Sequence, residues 1–132
     1  MIFVDTSFWI AAQIPRDQRH DEAVALLRRV GNERLITSNH VRGETWTFIR
    51  RRAGHKAAVA FLGVLARTRR LTVYPVSPTA EDHALLWLRR HDERAYSFVD
   101  ATSFAVMHDL GIDRALAFDD DFAAAGFQEL RP

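Results

Sequence analysis

Four carboxylates lie at positions where an apolar side chain or a turn residue would serve folding better. Asp5 and Asp119 each directly follow a short apolar run of the kind that forms a buried strand. Glu44 and Asp100 lie at the edges of apolar faces on predicted helices. An ionised carboxylate buried without a partner is costly, so each of these acids needs a counter-charge, a capping role or a metal ion.

Each acid taken alone has a structural interpretation that stays open. Asp5 or Glu44 could form an ion pair with Arg42, and Asp5 and Asp119 could cap the helices that follow them. Taken together, the four can converge above one edge of a sheet, where mutual repulsion would raise their pKa values unless a cation lies among them. Mg²⁺ and Mn²⁺ prefer oxygen ligands, keep several waters and need few protein carboxylates, so they fit such a cluster.

An acidic cluster with a divalent cation suits the hydrolysis of a phosphodiester. The cation lowers the pKa of a water and stabilises charge on the leaving oxygen, so no protein nucleophile is required. The sequence contains no G-x-S-x-G, H-E-x-x-H, P-loop or G-x-G-x-x-G motif. It also has no cysteine, which excludes thiolate zinc sites, iron–sulfur clusters, disulfide scaffolds and a cysteine nucleophile. The six histidines show no paired ligand spacing, and none is assigned to chemistry.

The charges of the chain are balanced in total but segregated along its length. Its 132 residues carry 18 Lys and Arg against 17 Asp and Glu, a formal net charge of +1, which argues against a disordered polyelectrolyte. Residues 28–70 hold 11 basic groups and two acids, whereas residues 92–121 hold eight acids and two basic groups. This division suits a protein that holds cations in one place and phosphates in another; the plain alternative is an Arg-rich solvated helical surface.

Short apolar runs alternate with helical segments, which predicts an α/β domain with a mostly parallel sheet. The length and the hydrophobic fraction of 48% fit a single domain over residues 1–132. In such sheets, ligands bind beyond the carboxyl ends of the strands, where the predicted strands place Asp5 and Asp119. The predicted strands span residues 2–4, 34–37, 71–74, 115–118 and, marginally, 127–130; the predicted helices span residues 8–12, 17–30, 39–52, 55–69, 78–91, 98–110 and 122–126.

Two amphipathic segments flank Gly54 and predict a helical hairpin. We expect the apolar face of the first segment to be buried; it consists of Val41, Thr45, Phe48 and Ile49. No apolar run approaches the roughly 20 residues that cross a bilayer, and the amino terminus lacks the basic region of a signal peptide. We therefore expect a soluble, cytoplasmic protein.

Four short motifs, taken in order, resemble the acidic blocks of PIN-domain ribonucleases. They are V-D-T-S at residues 4–7, T-S-N-H-V-R-G-E-T at residues 37–45, S-F-V-D-A-T-S-F at residues 97–104 and A-F-D-D-D-F-A-A-A-G-F at residues 117–127. The chain is most similar to the VapC-type toxins of prokaryotic type II toxin–antitoxin systems, over essentially its whole length. The resemblance implies a three-layer α/β/α domain with a parallel sheet in the order 3-2-1-4-5, a protruding helical hairpin, and Mg²⁺ or Mn²⁺ in an acidic pocket.

The resemblance also assigns roles by position. It implies that the catalytic and metal-binding acids are Asp5, Glu44, Asp100 and Asp119. Thr6 or Ser7 matches the hydroxyl position that follows the first acid and would support a water or a phosphate. Asp121 is an alternative to Asp119, acting through water, whereas Asp120 is expected to be a solvated turn residue.

The implied activity is endonucleolytic cleavage of RNA (tRNA, rRNA or mRNA) by the toxin of a toxin–antitoxin pair. Six arginines at the ends of the hairpin could contact RNA phosphates, namely Arg50, Arg51, Arg52, Arg67, Arg69 and Arg70. Trp46 could stack on a base or could belong to the hairpin core, the interpretation we favour for Phe61. The resemblance further implies a cognate antitoxin that binds the hairpin, and a homodimer. Candidate anchors of an interface are Phe8, Trp9, Trp46 and Trp87.

Two other functions remain to be weighed. A catalytically silent RNA-binding or partner-binding module of the same fold is the main alternative, although all four principal acids are present. A HAD-type phosphatase also has an Asp after its first strand, but it requires a D-x-D start and a later Lys. Here residue 7 is Ser, and the lone Lys56 lies in the predicted hairpin.

Overall fold

Five parallel strands form one sheet in the computed structural model, which describes residues 1–132. The strands are β1 (Ile2–Val4), β2 (Leu35–Ser38), β3 (Leu71–Tyr74), β4 (Arg114–Leu116) and β5 (Gln128–Glu129). They are arranged in the order β3-β2-β1-β4-β5, and every neighbouring pair is parallel. The predicted strand order and direction are therefore confirmed.

Seven helices connect the strands. They are α1 (Thr6–Gln13), α2 (His20–Val30), α3 (Asn39–Ala53), α4 (His55–Arg67), α5 (Pro78–Arg90), α6 (Phe98–Leu110) and α7 (Asp121–Ala124). No helix is both long enough and apolar enough to cross a membrane. The predicted hairpin is present: α3 packs against α4, and Gly54 joins them with φ +94°, a conformation that favours glycine.

The core surrounds the central strand β1, whose three residues are fully buried. Phe8, Trp9 and Phe61 are also buried, and the rings of Trp9 and Phe61 meet edge to face with their centroids 5.7 Å apart. Phe61 is thus a core residue, which is the interpretation that the sequence analysis favoured. Phe8 and Trp9 are buried within the chain, so neither can serve as an exposed interface anchor.

The carboxyl end of β4 differs from the prediction. The strand was expected to reach Phe118, but it ends at Leu116, so Asp119 does not directly follow it. The reason is that the backbone beyond Leu116 has other partners. The Phe118 N–H donates to Ser7 Oγ at 3.0 Å, and the Ala117 carbonyl accepts from the Arg131 guanidinium at 2.8 Å.

The apolar face of α3 is narrower than predicted. Val41, Thr45 and Ile49 are fully buried, whereas Phe48 is 48% exposed. The three buried residues follow helical spacing and form one stripe, and Phe48 lies beside that stripe, one turn after Glu44. The prediction that Phe48 belongs to the buried face is therefore wrong.

Candidate metal centre

Three acids meet at the carboxyl edge of the sheet. Asp5, Asp100 and Asp119 each offer a carboxylate oxygen, and these three oxygens all lie within 4.8 Å of one another. Asp5 is 2% exposed and Asp100 is 7% exposed. Carboxylates this close and this buried repel one another, and a hard divalent cation is the partner that removes the repulsion.

Asp5 stands between β1 and α1 and has two roles. Its Oδ2 caps α1 by accepting from the Ser7 N–H at 3.1 Å and from the Ser7 hydroxyl at 2.7 Å. Its Oδ1 is buried and has no hydrogen-bond partner. A buried oxygen without a partner is rare and costly, and a cation would supply what is missing. Capping thus uses Oδ2 alone, and the same carboxylate keeps Oδ1 without a partner.

Asp100 lies in the first turn of α6 and takes part in a capping box with Ser97. The Ser97 N–H donates to Asp100 Oδ2 at 3.0 Å, and the Asp100 N–H donates to Ser97 Oγ at 2.9 Å. This arrangement fixes the side chain against the helix start. The S-x-x-D signal of the capping box was visible in the sequence, but our sequence analysis did not use it.

Asp119 precedes α7, and its Oδ1 accepts from the Asp121 N–H at 3.2 Å. The Asp121 side chain is paired with an arginine, because its Oδ1 accepts from Arg94 Nε at 2.8 Å. Asp120 has φ +65°, is exposed, and lies 3.7 Å from the Arg131 guanidinium. The three consecutive acids thus have three different environments, and only Asp119 joins the cluster.

The environment raises the pKa of every acid in the cluster. Burial raises the pKa of Asp100 to about 7, with further contributions from the charges of Asp119 and Asp121, despite the opposing hydrogen bonds of Ser97. Burial likewise raises the pKa of Asp119 to about 6. For Asp5, burial and then the charge of Asp119 hold the pKa well above its ordinary value. Without a cation the cluster therefore retains protons near neutral pH.

An open cleft of about 300 Å³ contains the cluster. Glu44 lies in its wall, partly buried, but is not one of the three acids whose oxygens converge. Glu44 forms no ion pair, and neither does Asp5, so the proposed pairing with Arg42 is not present. The cleft is lined by Asp5, Thr6, Ser7, Ile10, Glu44, Phe48, Ala95, Ser97, Asp100, Asp119 and Asp121.

Thr6 and Ser7 both line the cleft, but their hydroxyls differ in what they contact. Ser7 Oγ donates to Asp5 and accepts from the Phe118 N–H, so it connects the chain segments that follow β1 and β4. Thr6 Oγ1 is buried and has no hydrogen-bond partner. Of the two hydroxyls, the one on Thr6 is therefore the one left free for a water or a phosphate oxygen.

The six candidate RNA-binding arginines form two separate groups. Arg50, Arg51 and Arg52 are exposed in the last turn of α3, at the turn of the hairpin. Arg67, Arg69 and Arg70 lie at the far end of α4, just before β3 begins at the amino edge of the sheet. The length of α4, about 20 Å, separates the groups, and no member of either lines the cleft.

Sequence reasoning missed Arg94 and four residues that line the cleft, namely Ile10, Phe48, Ala95 and Ser97. Ser97 and Phe48 line the cleft, and Arg94 lies at its rim through its contact with Asp121. Only Ser97 had a local signal, the capping box. Arg94 precedes Asp121 by 27 residues and comes near it only in the fold.

A parallel sheet in this order, with clustered carboxylates at its carboxyl edge, defines the class of protein. The family described as the PIN domain matches residues 2–128, and the chain belongs to that family. PIN-domain nucleases hydrolyse RNA and need divalent metal ions. This membership removes the HAD-type phosphatase as an alternative. The predicted fold class is confirmed.

Particular relatives are similar over the full length of the chain. It is 54% identical over 132 residues to the 23S rRNA-specific endonuclease VapC20 of Mycobacterium tuberculosis, found in the CDC 1551 / Oshkosh and H37Rv strains. The alignment covers 100% of this chain and 99% of the relative. The crystal structure of Mycobacterium tuberculosis VapC20, described as a sarcin–ricin loop cleaving toxin, matches with a TM-score of 0.93 and 52% identity over 100% of both chains.

A more distant match shows the fold alone. The crystal structure of FitAcB from Neisseria gonorrhoeae aligns with a TM-score of 0.69 at 16% identity, covering 98% of this chain and 96% of that one. The same architecture is thus kept where little of the sequence is shared.

Proposed function

We propose that this protein is a metal-dependent endoribonuclease and the toxin of a type II toxin–antitoxin pair. The observation that carries the proposal is the convergence of Asp5, Asp100 and Asp119 within 4.8 Å at the carboxyl edge of a PIN-domain sheet. Its full-length similarity to VapC20, a 23S rRNA-specific endonuclease, supports the same activity.

Asp5, Asp100 and Asp119 would hold the ion, with Glu44 completing the acidic wall of the cleft. The buried Asp5 Oδ1, which has no hydrogen-bond partner, supports this assignment. Mg²⁺ or Mn²⁺ suits a donor set made only of carboxylate oxygens. When bound, such an ion activates a water for attack on the phosphorus and offsets the charge that develops on the phosphate.

The other residues of the cleft prepare this geometry. Ser7 and Ser97 fix the carboxylates of Asp5 and Asp100 through hydrogen bonds to one oxygen each, which leaves the second oxygen free. Thr6 offers a free hydroxyl to a phosphate oxygen or a water. These contacts exist before any ligand arrives, so little reorganisation is needed at the reacting centre.

We propose ribosomal RNA as the substrate, and the sarcin–ricin loop of 23S rRNA as its cleaved segment. The support is the description of VapC20, to which this chain is 52% identical over its whole length in the structural alignment. Arg50, Arg51 and Arg52 at the hairpin turn would contact phosphates outside the cleft. Arg67, Arg69 and Arg70 would contact RNA phosphates only on a face remote from the acids.

A cognate antitoxin and a second copy of the chain are further proposed partners. The hairpin carries exposed apolar side chains, Val59 at 46% and Leu62 at 39%, which an amphipathic segment of an antitoxin could cover. The proposed site of action is the cytoplasm, because ribosomes are there. The proposed unit is the single domain over residues 1–132.

The proposal is tested by incubating the purified protein with ribosomal RNA and tRNA, with and without Mg²⁺ or Mn²⁺. We expect cleavage of 23S rRNA only with metal, and a loss of at least about 100-fold in Asp5→Asn and Asp100→Asn. Asp120→Asn is the matched control, because Asp120 is exposed and outside the cluster. Undiminished cleavage by Asp5→Asn or Asp100→Asn would overturn the assignment of that residue.

Cleavage together with thermal unfolding, each measured with and without Mn²⁺, separates the nuclease from a silent binding module of the same fold. A nuclease is stabilised against heat by Mn²⁺ because the folded state binds the ion at the acidic cluster. A silent module would show neither cleavage nor a metal-dependent shift of the unfolding temperature.

A further inference from the structure

Phe48 is an exposed aromatic ring in the wall of an otherwise largely polar cleft. It is 48% exposed and lies one helical turn after Glu44. Seven other large apolar side chains are comparably exposed, but none of them lines the acidic cleft.

The ring of Phe48 has no aromatic neighbour. By contrast Phe98, the other exposed phenylalanine, has its centroid 5.6 Å from the ring of His40. Phe48 therefore presents a free aromatic surface inside the cleft. Its ring is available to a planar partner that enters with the substrate.

The residues along α3 show which partner fits. Glu44, Phe48 and Arg51 are spaced i, i+4 and i+7, so they lie on one face of the helix. Their Cα atoms rise about 6 Å and about 10 Å from the first to the second and third. Arg51 is exposed and has no hydrogen bond or ion pair, whereas Arg52 lies 3.5 Å from Asp17.

This face presents a carboxylate that lines the cleft beside the three clustered acids, then an aromatic ring, then a free guanidinium. These three groups match, in order, the reacting phosphate with its cation, a base, and a neighbouring phosphate of one RNA strand. An RNA strand repeats phosphate and base along its length, so a single strand supplies all three partners in this order. The arrangement therefore favours RNA over a protein at Phe48.

We propose that Phe48 stacks on an unpaired base next to the cleaved phosphodiester and so holds the RNA strand in the cleft. This inference rests on the proposed nuclease function and deepens it. In duplex RNA the bases are stacked and paired, so no base face is free for the ring, whereas loop bases can be splayed out onto an aromatic side chain. Arg51 then contacts the phosphate on the far side of that base.

The test compares Phe48→Leu, Phe48→Trp and wild type on a synthetic RNA hairpin carrying the sarcin–ricin loop. Leucine keeps the apolar volume but lacks the aromatic face. We expect Phe48→Leu to raise KM roughly 5- to 150-fold with kcat little changed. Phe48→Trp, which keeps an aromatic face, should have a KM close to that of the wild type. Leu85→Ala is the matched control, because Leu85 is 48% exposed on α5 and does not line the cleft; it should leave both constants unchanged.

Abasic RNAs identify the base. Removing the one base that stacks should raise the KM of the wild type as much as Phe48→Leu does. It should not raise the KM of Phe48→Leu any further. If Phe48→Leu and wild type have the same KM, or if both respond equally to every abasic site, the proposal is wrong. In that case Phe48 belongs to a protein contact.

A binding measurement keeps this inference separate from the proposed function. Fluorescence anisotropy of the labelled RNA hairpin measures the affinity of two variants, Asp100→Asn alone and Asp100→Asn combined with Phe48→Leu. A weaker affinity in the double variant supports stacking even if no cleavage is found. Cleavage by wild type together with equal affinities of the two variants supports the nuclease and overturns the role of Phe48.

Discussion

The Ser7 hydroxyl donates to Asp5 Oδ2 at 2.7 Å and leaves Asp5 Oδ1 buried without a partner. The same hydroxyl accepts from the Phe118 N–H at 3.0 Å. One side chain thus ties the segment after β4 to the segment after β1 and fixes the orientation of the Asp5 carboxylate. Metal sites depend on such outer contacts nearly as much as on the ligands themselves.

Ser7→Ala is expected to weaken metal binding by about 10- to 100-fold, because Asp5 loses the contact that orients it. The Phe118 N–H also loses its acceptor, so the free energy of unfolding should fall by about 1–3 kcal/mol. Isothermal titration with Mn²⁺ and thermal unfolding measure the two effects. Thr47→Ala, which removes an exposed hydroxyl bonded to its own helix, should change neither. Unaltered Mn²⁺ affinity in Ser7→Ala would contradict the orienting role.

The metal-free protein is expected to become less stable as the pH rises from about 4 to 7. The pKa of Asp100 is raised to about 7 and that of Asp119 to about 6, so the folded state binds more protons than the unfolded state in this range. Stability then falls as pH rises through these values, by on the order of 2 kcal/mol. Thermal unfolding in EDTA measures this dependence.

Asp100→Asn is expected to flatten that pH dependence while raising the stability of the metal-free protein at pH 8. Asparagine keeps an acceptor for the Ser97 N–H, so the helix cap survives the change. Asp109→Asn, which alters an exposed acid of the same helix, serves as the control. Parallel curves for wild type and Asp100→Asn would show that Asp100 does not titrate in this way.

Glu44→Gln is expected to reduce Mn²⁺ affinity much less than Asp100→Asn does. The three oxygens that converge within 4.8 Å belong to Asp5, Asp100 and Asp119, whereas Glu44 only lines the cleft. A loss of at most about threefold in affinity for Glu44→Gln, against more than tenfold for Asp100→Asn, would fit this geometry. Calorimetric titration of the two variants decides the matter. Equal losses would place Glu44 among the direct ligands.

Gly54→Ala is expected to destabilise the hairpin, since Gly54 has φ +94° and an alanine there is strained. We expect a loss of about 1 kcal/mol in the free energy of unfolding. Gly43→Ala is the opposite case, because Gly43 lies within α3 and an added Cβ would meet nothing within 4 Å. It should stabilise the protein by about 0.5–1 kcal/mol. Urea denaturation of both variants measures the difference; the same sign for both would argue against this account of the turn.

Much of the fold could be predicted from the sequence, because its signals are local. Each of three such signals lies within a few residues: the apolar run of Ile2–Val4, the helix stop at Gly54 and the serine cap of α3 at Ser38. The parallel sheet follows from the alternation of strands and helices. Its order, however, came from the resemblance to a family and not from the spacing.

The details of the site could not be predicted, because they depend on contacts between distant segments. The early end of β4 follows from the bond between Phe118 and Ser7, which are 111 residues apart. The pairing of Arg94 with Asp121 and the exposure of Phe48 depend on how helices pack. The sequence grouped Glu44 equally with the other acids, whereas the structure separates it from the three that converge.

Asp5 and Asp100 each accept a hydrogen bond at the start of a helix with one carboxylate oxygen. Selection for folding alone would therefore favour keeping a capping side chain at both places. A descendant that had lost its enzymatic activity could retain both aspartates for a long time. Within this lineage, the persistence of these two residues is a weak sign of surviving catalysis, and the free hydroxyl of Thr6 is the better place to look for decay.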